Sequence, residues 1–158
     1  RDLAAFPFYT WRHAAVVPDG HPLTALDAIT LADLAEHPII TYHHDYAGRA
    51  RIDAAFAAAG LAPDIVMAAL DTDVIKTYVG VGLGVGIIAA NGYVEGREHG
   101  LVRLDLGDLF PPNTTRIAVR KGHYLRGFAY RFIALCSADL DEARVREAVS
   151  PSREAELV

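Results

Sequence analysis

The sequence predicts an α/β fold with a mostly parallel sheet flanked by helices. Three short apolar segments, Ile39 to Tyr42, Asp64 to Ala69 and Val85 to Ala89, have the composition of buried strands, and helical patterns separate them. These connections are too long for hairpins, so the three strands should run parallel. The chain has 158 residues, of which 52% are hydrophobic and 22% charged, which is enough to bury such a core.

The segment before these strands predicts three shorter elements. Leu3 to Tyr9 should be extended, and the apolar stretch Trp11 to Val17 should form a strand that ends at a Pro-Asp-Gly turn. A short helix is expected at Leu31 to Glu36. Thr30 and Asp33 have the spacing of a capping box at its start.

Two helices connect the three predicted parallel strands. The first covers Arg49 to Ala59, and Gly60 is its expected C-cap. The second can be capped by either Asp71 or Thr72, and the sequence leaves both open. Its apolar face contains Val74, Ile75, Tyr78 and Val79.

Further strands and helices are expected after residue 100. Leu101 to Leu106 and Thr114 to Arg120 are predicted strands, joined by a stiff Phe-Pro-Pro-Asn link. Leu125 to Ser137 and Asp139 to Val149 are predicted helices, and Pro151 to Val158 is expected to be a frayed tail. The apolar face of the helix at 125–137 is expected to contain Phe128, Phe132 and Leu135.

Composition excludes several functional classes. The net charge of −5 and the pI near 5.7 argue against nucleic-acid binding by this surface, because phosphate contacts need a basic face. No apolar run reaches the roughly 18 to 20 residues that span a bilayer, and no signal-peptide pattern opens the chain. One cysteine excludes an internal disulfide. The chain begins at Arg1 rather than Met, which suggests a fragment of a longer protein.

Four alternating glycines from Gly80 to Gly86 suggest a nucleotide site, but their order is wrong for one. A dinucleotide fingerprint follows a strand and opens a helix, whereas these glycines follow a helix and precede a strand. No Lys-Ser or Lys-Thr pair completes a P-loop. A tight helix-to-strand turn explains the glycines better, and no cofactor is expected.

Catalytic and metal sites also lack support in the sequence. The three serines lie near the C-terminus, and no nucleophile elbow is present. His43, His44 and Asp45 are consecutive, but adjacent side chains usually diverge and no other ligand spacing supports a metal. Asp71 and Asp73 are better explained by helix capping and the helix dipole than by acid–base chemistry.

Polar residues follow two of the predicted strands at the edge where ligands bind in open parallel sheets. The loops His43 to Gly48 and Leu70 to Thr72 each precede a helix N-terminus, which offers free N–H groups and positive charge. We therefore expect a site for a small anion or zwitterion. Trp11 is either a core anchor or a cleft-facing donor, and Arg49 either holds an anion or is an exposed arginine; the sequence leaves both alternatives open.

Several segments, taken in order, resemble one family. They are YTWRHAAVVPDGHPL (Tyr9 to Leu23), HPIITY and GR (His37 to Tyr42 and Gly48-Arg49), DTDVIKTYVGVGLGVGIIA (Asp71 to Ala89), LVRLDLGDLF (Leu101 to Phe110) and TTRIAVRKGHYLRGF (Thr114 to Phe128). Together they resemble the effector-binding domain of LysR-type transcriptional regulators, in particular the CysB-like regulators of sulfur assimilation.

The resemblance implies a two-lobe fold like that of type 2 periplasmic binding proteins, with the effector between the lobes. Residues 10–113 would be the second lobe, residues 1–9 and 114–150 part of the first lobe, and residues 151–158 a C-terminal tail. The first-lobe opening and a winged helix-turn-helix DNA-binding domain, which such regulators carry upstream, are absent from this chain. CysB-like proteins have a ligand-contacting threonine where this chain has Ala47, whereas Trp11 matches a position that borders the ligand.

The resulting hypothesis is a non-catalytic cytoplasmic sensor. It would bind a small anion or zwitterion, such as sulfate, thiosulfate or an acetylated serine, and control a dimer or tetramer that contacts DNA only through the absent domain. The alternatives are a periplasmic-type solute-binding protein and, in another class, a small α/β enzyme with His43 or His44 as a base. The candidate effector contacts are Trp11, Thr41, His43, Tyr46, Ala47, Gly48, Arg49, Asp71 and Thr72.

Overall fold

The computed structural model describes residues 2–150. The chain divides into two compact units. The larger unit holds residues 11–113, and the smaller unit holds the residues up to Thr10 together with those from Thr114 onward. The tail predicted at Pro151 to Val158 lies outside the described residues.

Strands and helices alternate through most of the chain. The strands are β1 (Leu3–Trp11), β2 (His13–Pro18), β3 (Ile39–Tyr42), β4 (Ile65–Ala69), β5 (Val85–Ala89), β6 (Leu101–Asp105) and β7 (Asn113–Arg120). The α-helices are α1 (Leu31–Ala35), α2 (Ala47–Ala58), α3 (Thr72–Gly80), α4 (Gly127–Cys136) and α5 (Glu142–Val149). Short 3-10 turns lie at Pro22–Ala25 and Ala90–Gly92.

The larger unit is built on a five-stranded sheet in the order β4-β3-β5-β2-β6. Strand β3 pairs in parallel with both β4 and β5, as the long connections predicted. Strand β2 lies inside the sheet and is antiparallel to both β5 and β6. Four strands therefore run in one direction and β2 runs in the other, so the mostly parallel α/β fold is confirmed.

Each face of this sheet is covered by a helix. Alternate residues of one strand face opposite sides, so neighbours such as Ile39 and Ile40 enter different cores. Helix α2 covers one face with Ile52 and Phe56, which are almost completely buried. On the other face, Ile75 and Val79 of α3 are completely buried. The sheet and its two helices thus form one three-layer unit.

Most predicted boundaries agree with the structure. Thr30 and Asp33 form the predicted capping box of α1. The hydroxyl and the backbone N–H of Thr30 both donate to the Asp33 carboxylate, and these two hydrogen bonds lower the pKa of that carboxyl. Gly60 follows α2 with a φ of 68°, as expected for the glycine after a helix. The strand predicted at Trp11 to Val17 was placed wrongly at its start, because Trp11 ends β1 and β2 begins at His13.

The predicted apolar faces of two helices were wrong in part. Tyr78 of α3 is 42% exposed, and Lys76 is buried on that face instead. In α4, the predicted side chains Phe128 and Phe132 are exposed, and so is Leu135. The face that α4 buries contains Tyr130 and Ile133. Both faces of α4 are apolar, so periodicity could not select the one that packs.

The smaller unit has its own hydrophobic cluster. Strands β1 and β7 form a two-stranded sheet. The buried cluster contains Ala4, Phe6, Val119, Tyr130, Ile133, Leu140, Val145 and Val149. Among residues 2–150, no helix combines the length and the apolarity that crossing a membrane requires.

The turn between α3 and β5 shows why this segment is rich in glycine. Gly82 has a φ of 88°, a conformation that side-chain-bearing residues rarely adopt. Gly84 lies against the backbone of Pro38, and a Cβ added there would be 2.3 Å from the Pro38 carbonyl oxygen. The glycines therefore serve a tight turn and close packing, as the order of elements predicted.

Candidate functional site

The two predicted ligand loops lie at the same edge of the sheet. Because β3 and β4 are parallel and Tyr42 is paired with Ala69, both strands end at this edge. The backbone N–H of His43 donates to the carbonyl of Ala69 at 3.0 Å, which holds the two loop starts together. We call this region the strand-end site; it comprises residues 42–49, residues 70–72 and Ala89, with Trp11 beside it.

The Tyr42 side chain connects three elements at the strand-end site. Its hydroxyl accepts a hydrogen bond of 2.9 Å from the backbone N–H of Ala89 at the end of β5. The same oxygen lies 2.7 Å from the hydroxyl oxygen of Thr72, the first residue of α3. The sequence analysis did not name Tyr42 as a site residue. Its position was informative, because Tyr42 is the last residue of a strand that ends at the ligand-binding edge, and it carries a hydroxyl.

Helix α2 begins at this edge without a side-chain cap. Tyr46 is the N-cap residue, and its side chain makes no capping hydrogen bond. The helix begins at Ala47, two residues earlier than predicted, so Ala47 and Gly48 occupy its first turn. The N–H groups of the first helical residues have no partner within a helix, and the helix dipole makes this end positive. This start can accept an anion.

Trp11 lies against the first turn of α2. A Cβ added to Gly48 would be 3.1 Å from the Cη2 atom of Trp11 and 3.3 Å from Nε2 of His13. The rings of Trp11 and His13 meet edge to face with their centroids 5.1 Å apart. A side chain at position 48 would press on these rings, so a glycine suits this position inside the helix.

His13 is a buried residue that the sequence did not single out. It is only 3% exposed, and within the described chain neither ring nitrogen has a hydrogen-bond partner. Its ring packs on Phe110 as well as on Trp11. Burial, with a smaller contribution from the charge of Arg51, lowers the pKa of His13 to about 4. The imidazole is therefore neutral at pH 7.

The start of α3 carries its own carboxylate. Asp71 is the N-cap, and its Oδ1 accepts from the N–H of Val74 at 2.8 Å, which selects Asp71 over Thr72 as the cap. This negative charge already occupies the positive end of α3. An anion is therefore favoured at the start of α2 rather than here.

Lys76 of α3 is a buried charged residue, only 8% exposed. Its ammonium donates to Glu98 and to the carbonyl of Gly92, and it is paired with Asp73 at 2.9 Å. Burial alone would lower the pKa of Lys76, but the hydrogen bonds to Glu98 and Asp73 raise it overall. These groups form a half-enclosed cluster that fixes the segment after β5 on α3. The distant Glu98 gave no sequence signal.

Two predicted contact residues are already engaged by the protein. Thr41 is completely buried, and its hydroxyl donates to the carbonyl of Ile87 at 2.9 Å. Arg49 donates from Nη1 to the carbonyl of Tyr42 and from Nε to Asp53. Its side chain is only 13% exposed. These hydrogen bonds stabilise the sheet edge and the first turns of α2, so neither side chain is free to turn toward a ligand.

The loop before α2 brings three polar side chains together. The Nδ1 atom of His43 lies 3.1 Å from one carboxylate oxygen of Asp45, and Nε2 of His44 lies 3.3 Å from the other. These side chains were expected to diverge, and that expectation was wrong. A turn closed by the N–H of Tyr46 and the carbonyl of His43 folds them back toward each other.

Comparison with known proteins gives one consistent family. Residues 1–141 match the family described as the LysR substrate binding domain. The chain is 50% identical over 152 residues to the HTH-type transcriptional regulator SsuR of Burkholderia cenocepacia, covering 94% of this chain and 49% of that protein. It is 46% identical over 154 residues to the HTH-type transcriptional regulator CysB of the same organism, covering 98% and 49%. The chain therefore spans about half the length of these relatives.

A solved structure supports the same assignment. The cofactor-binding domain of the Cbl transcriptional regulator superposes with a TM-score of 0.90 at 44% identity, covering 96% of this chain and 66% of that one. This likeness confirms the predicted fold of LysR effector domains. The relatives are transcriptional regulators rather than enzymes, which confirms the prediction of a non-catalytic domain.

Proposed function

The chain belongs to the LysR substrate binding domain family, and from this premise we propose that it is the ligand-sensing domain of a CysB-like regulator of sulfur assimilation. Its effector is a small anion or zwitterion of the class of sulfate, thiosulfate or an acetylated serine. The observation that carries the proposal is the uncapped start of α2 at the strand-end site.

Charge at the two helix starts favours a particular arrangement of the effector. The first turn of α2 offers the N–H groups of Ala47 and Gly48 to negatively charged oxygens. The carboxylate of Asp71 at the start of α3 repels a second negative charge and attracts an ammonium group. An anionic group at α2 and a neutral or positive group near Asp71 therefore fit the site best.

Other residues support this arrangement without using charge. Trp11 borders the first turn of α2 at Gly48, and its ring would limit the size of the bound group. Thr72 and the exposed Tyr46 offer hydroxyls, and His43 offers a half-exposed imidazole. Ala47 offers only its backbone here, since the threonine hydroxyl expected from the family is missing.

We propose that residues 10–113 are the second lobe and that residues 1–9 and 114–150 belong to the first. The chain divides into compact units after Thr10 and after Asn113, within one residue of the proposed boundaries, which supports this assignment. An effector that binds one lobe arrangement more tightly shifts the population toward it. In a DNA-bound dimer or tetramer in the cytoplasm, this difference in affinity would alter the assembly, with DNA contacted by a separate winged helix-turn-helix domain.

Calorimetric titration of the intact protein tests the proposal. We expect saturable binding of at least one of sulfate, thiosulfate, O-acetylserine and N-acetylserine. Ala47→Thr should strengthen binding by restoring a hydroxyl, and Thr72→Val should weaken it while leaving the fold intact. Asp71→Asn should strengthen binding of sulfate and thiosulfate, because it removes a negative charge near the site. No heat and no thermal shift with any of the four compounds would contradict the proposal.

A further inference from the structure

The turn between β3 and α2 places three potential metal ligands in one small volume. His43, His44 and Asp45 each offer a ligand atom, and these atoms all lie within 4.8 Å of one another. The N–H of Tyr46 donates to the carbonyl of His43 at 3.1 Å, which closes the turn. The backbone conformation, rather than sequence spacing, makes the three side chains converge.

The distances suit a metal-binding set. In tetrahedral coordination with metal–ligand bonds of about 2.0 to 2.1 Å, neighbouring ligand atoms are about 3.3 to 3.4 Å apart. The Nδ1 atom of His43 lies 3.1 Å from one carboxylate oxygen of Asp45, and Nε2 of His44 lies 3.3 Å from the other oxygen, so each histidine nitrogen has a carboxylate oxygen at about this spacing. The rings of the two histidines lie close together, with centroids 4.0 Å apart and ring planes inclined by 41°.

Ligand chemistry and access indicate the class of ion. Imidazole nitrogens with a carboxylate oxygen suit Zn²⁺, Ni²⁺ and Cu²⁺, whereas Ca²⁺ and Mg²⁺ prefer all-oxygen sites. His44 and Asp45 are 73% and 75% exposed, and His43 is 36% exposed, so an ion can enter directly from solvent. The exposure also leaves room for water in the remaining coordination positions.

We propose that His43, His44 and Asp45 bind one divalent transition-metal ion, with three protein ligands and at least one open position. The metal site does not rest on the effector, because the main donors of the anion site are the backbone N–H groups of α2. His43 is the one side chain that both proposals use, and His44 and Asp45 belong to the metal site alone. In the chain, Asp45 supplies the negative charge that offsets part of the charge of the ion.

Binding of Zn²⁺ to the chelator-treated, tag-free chain tests this inference. We expect one equivalent of Zn²⁺ by calorimetry and by metal analysis after equilibrium dialysis. His44→Ala and Asp45→Asn should each weaken binding on the order of tenfold or more. Both side chains are exposed, so neither variant should change the melting temperature of the metal-free protein.

Two other neighbouring histidines, His21 and His37, provide a matched control for the proposed metal site. The rings of His21 and His37 lie 4.8 Å apart, and the metal-ligand cluster found among residues 2–150 does not include them. His37→Ala should therefore leave Zn²⁺ affinity unchanged. Absence of stoichiometric binding of Zn²⁺, Ni²⁺ and Cu²⁺ would overturn the inference. So would an unchanged affinity in both His44→Ala and Asp45→Asn, or an equal loss in His37→Ala.

Discussion

The hydroxyl oxygen of Tyr42 lies 2.7 Å from the hydroxyl oxygen of Thr72, and it also accepts the backbone N–H of Ala89. One side chain at the end of β3 therefore fixes the start of α3 and the end of β5. The arrangement keeps the strand ends in register at the edge where the proposed effector binds, so the hydroxyl should matter for both stability and binding.

Tyr42→Phe should destabilise the larger unit by about 1 to 3 kcal/mol, because the N–H of Ala89 loses its partner in a half-buried position. Urea unfolding measures this loss. Tyr46→Phe is the matched control: Tyr46 is 45% exposed, and its change should stay within about 0.5 kcal/mol. Equal stabilities of the two variants would show that the Tyr42 hydroxyl does not hold the edge together.

Asp71→Ala should destabilise α3 by about 0.5 to 2 kcal/mol through loss of the N-cap bond to Val74. Asp71→Asn keeps a side-chain oxygen as acceptor and should lose much less. Thermal unfolding of the two variants side by side separates the cap from the charge. An alanine variant as stable as the parent protein would remove Asp71 from the capping role.

Stability should fall in acid because His13 is held neutral. The folded protein binds this proton only near pH 4, whereas an unfolded histidine binds it near its ordinary pKa of 6.5. The unfolded state therefore takes up more protons between these values, and the free energy of unfolding decreases as the pH drops through this window. By pH 4 the loss from His13 is about 3 kcal/mol.

His13→Phe removes this titration while keeping an aromatic ring between Trp11 and Phe110. Urea unfolding from pH 8 to pH 4 should show a steeper decline for the parent protein than for the variant. Other groups titrate in both proteins, so the difference between the two curves isolates His13. Parallel curves would mean that the imidazole is not buried in its neutral form.

Gly80 at the end of α3 and Gly84 in the turn after it should respond differently to alanine. Gly84→Ala should destabilise the protein by about 1 to 3 kcal/mol, since the new methyl group would collide with the carbonyl oxygen of Pro38. Gly80→Ala, at the end of α3 with open space around it, should be neutral or stabilising by up to about 1 kcal/mol. Melting temperatures test the pair, and a tolerated Gly84→Ala would contradict the close contact.

Short-range sequence patterns predicted several strands and helix ends of the larger unit well. The strands Ile39–Tyr42 and Val85–Ala89 have the predicted bounds, because an apolar run between turn residues is a local property of the chain. The capping box of α1 and the glycine after α2 were also found from nearest neighbours alone. Hydrogen bonds to adjacent residues decide such features, so no tertiary information was needed.

The sequence did not predict features that depend on contacts between residues far apart in the chain. Gly48 suggested a loop from the sequence, yet it lies in the first turn of α2, where Trp11, far away in the chain, leaves little space for a side chain. The burial of Lys76 depends on Glu98 in the same way. The convergence of His43 and Asp45 required a turn whose geometry their spacing did not reveal.

The packing of Trp11 on Gly48 supplies the protein with a built-in optical reporter. Trp11 is the only tryptophan in the chain, so all indole fluorescence comes from one ring at the first turn of α2. Whatever changes the polarity or spacing around that turn, whether an incoming solute or a rotation of the helix, should shift the emission. The protein can thus be followed without any attached dye.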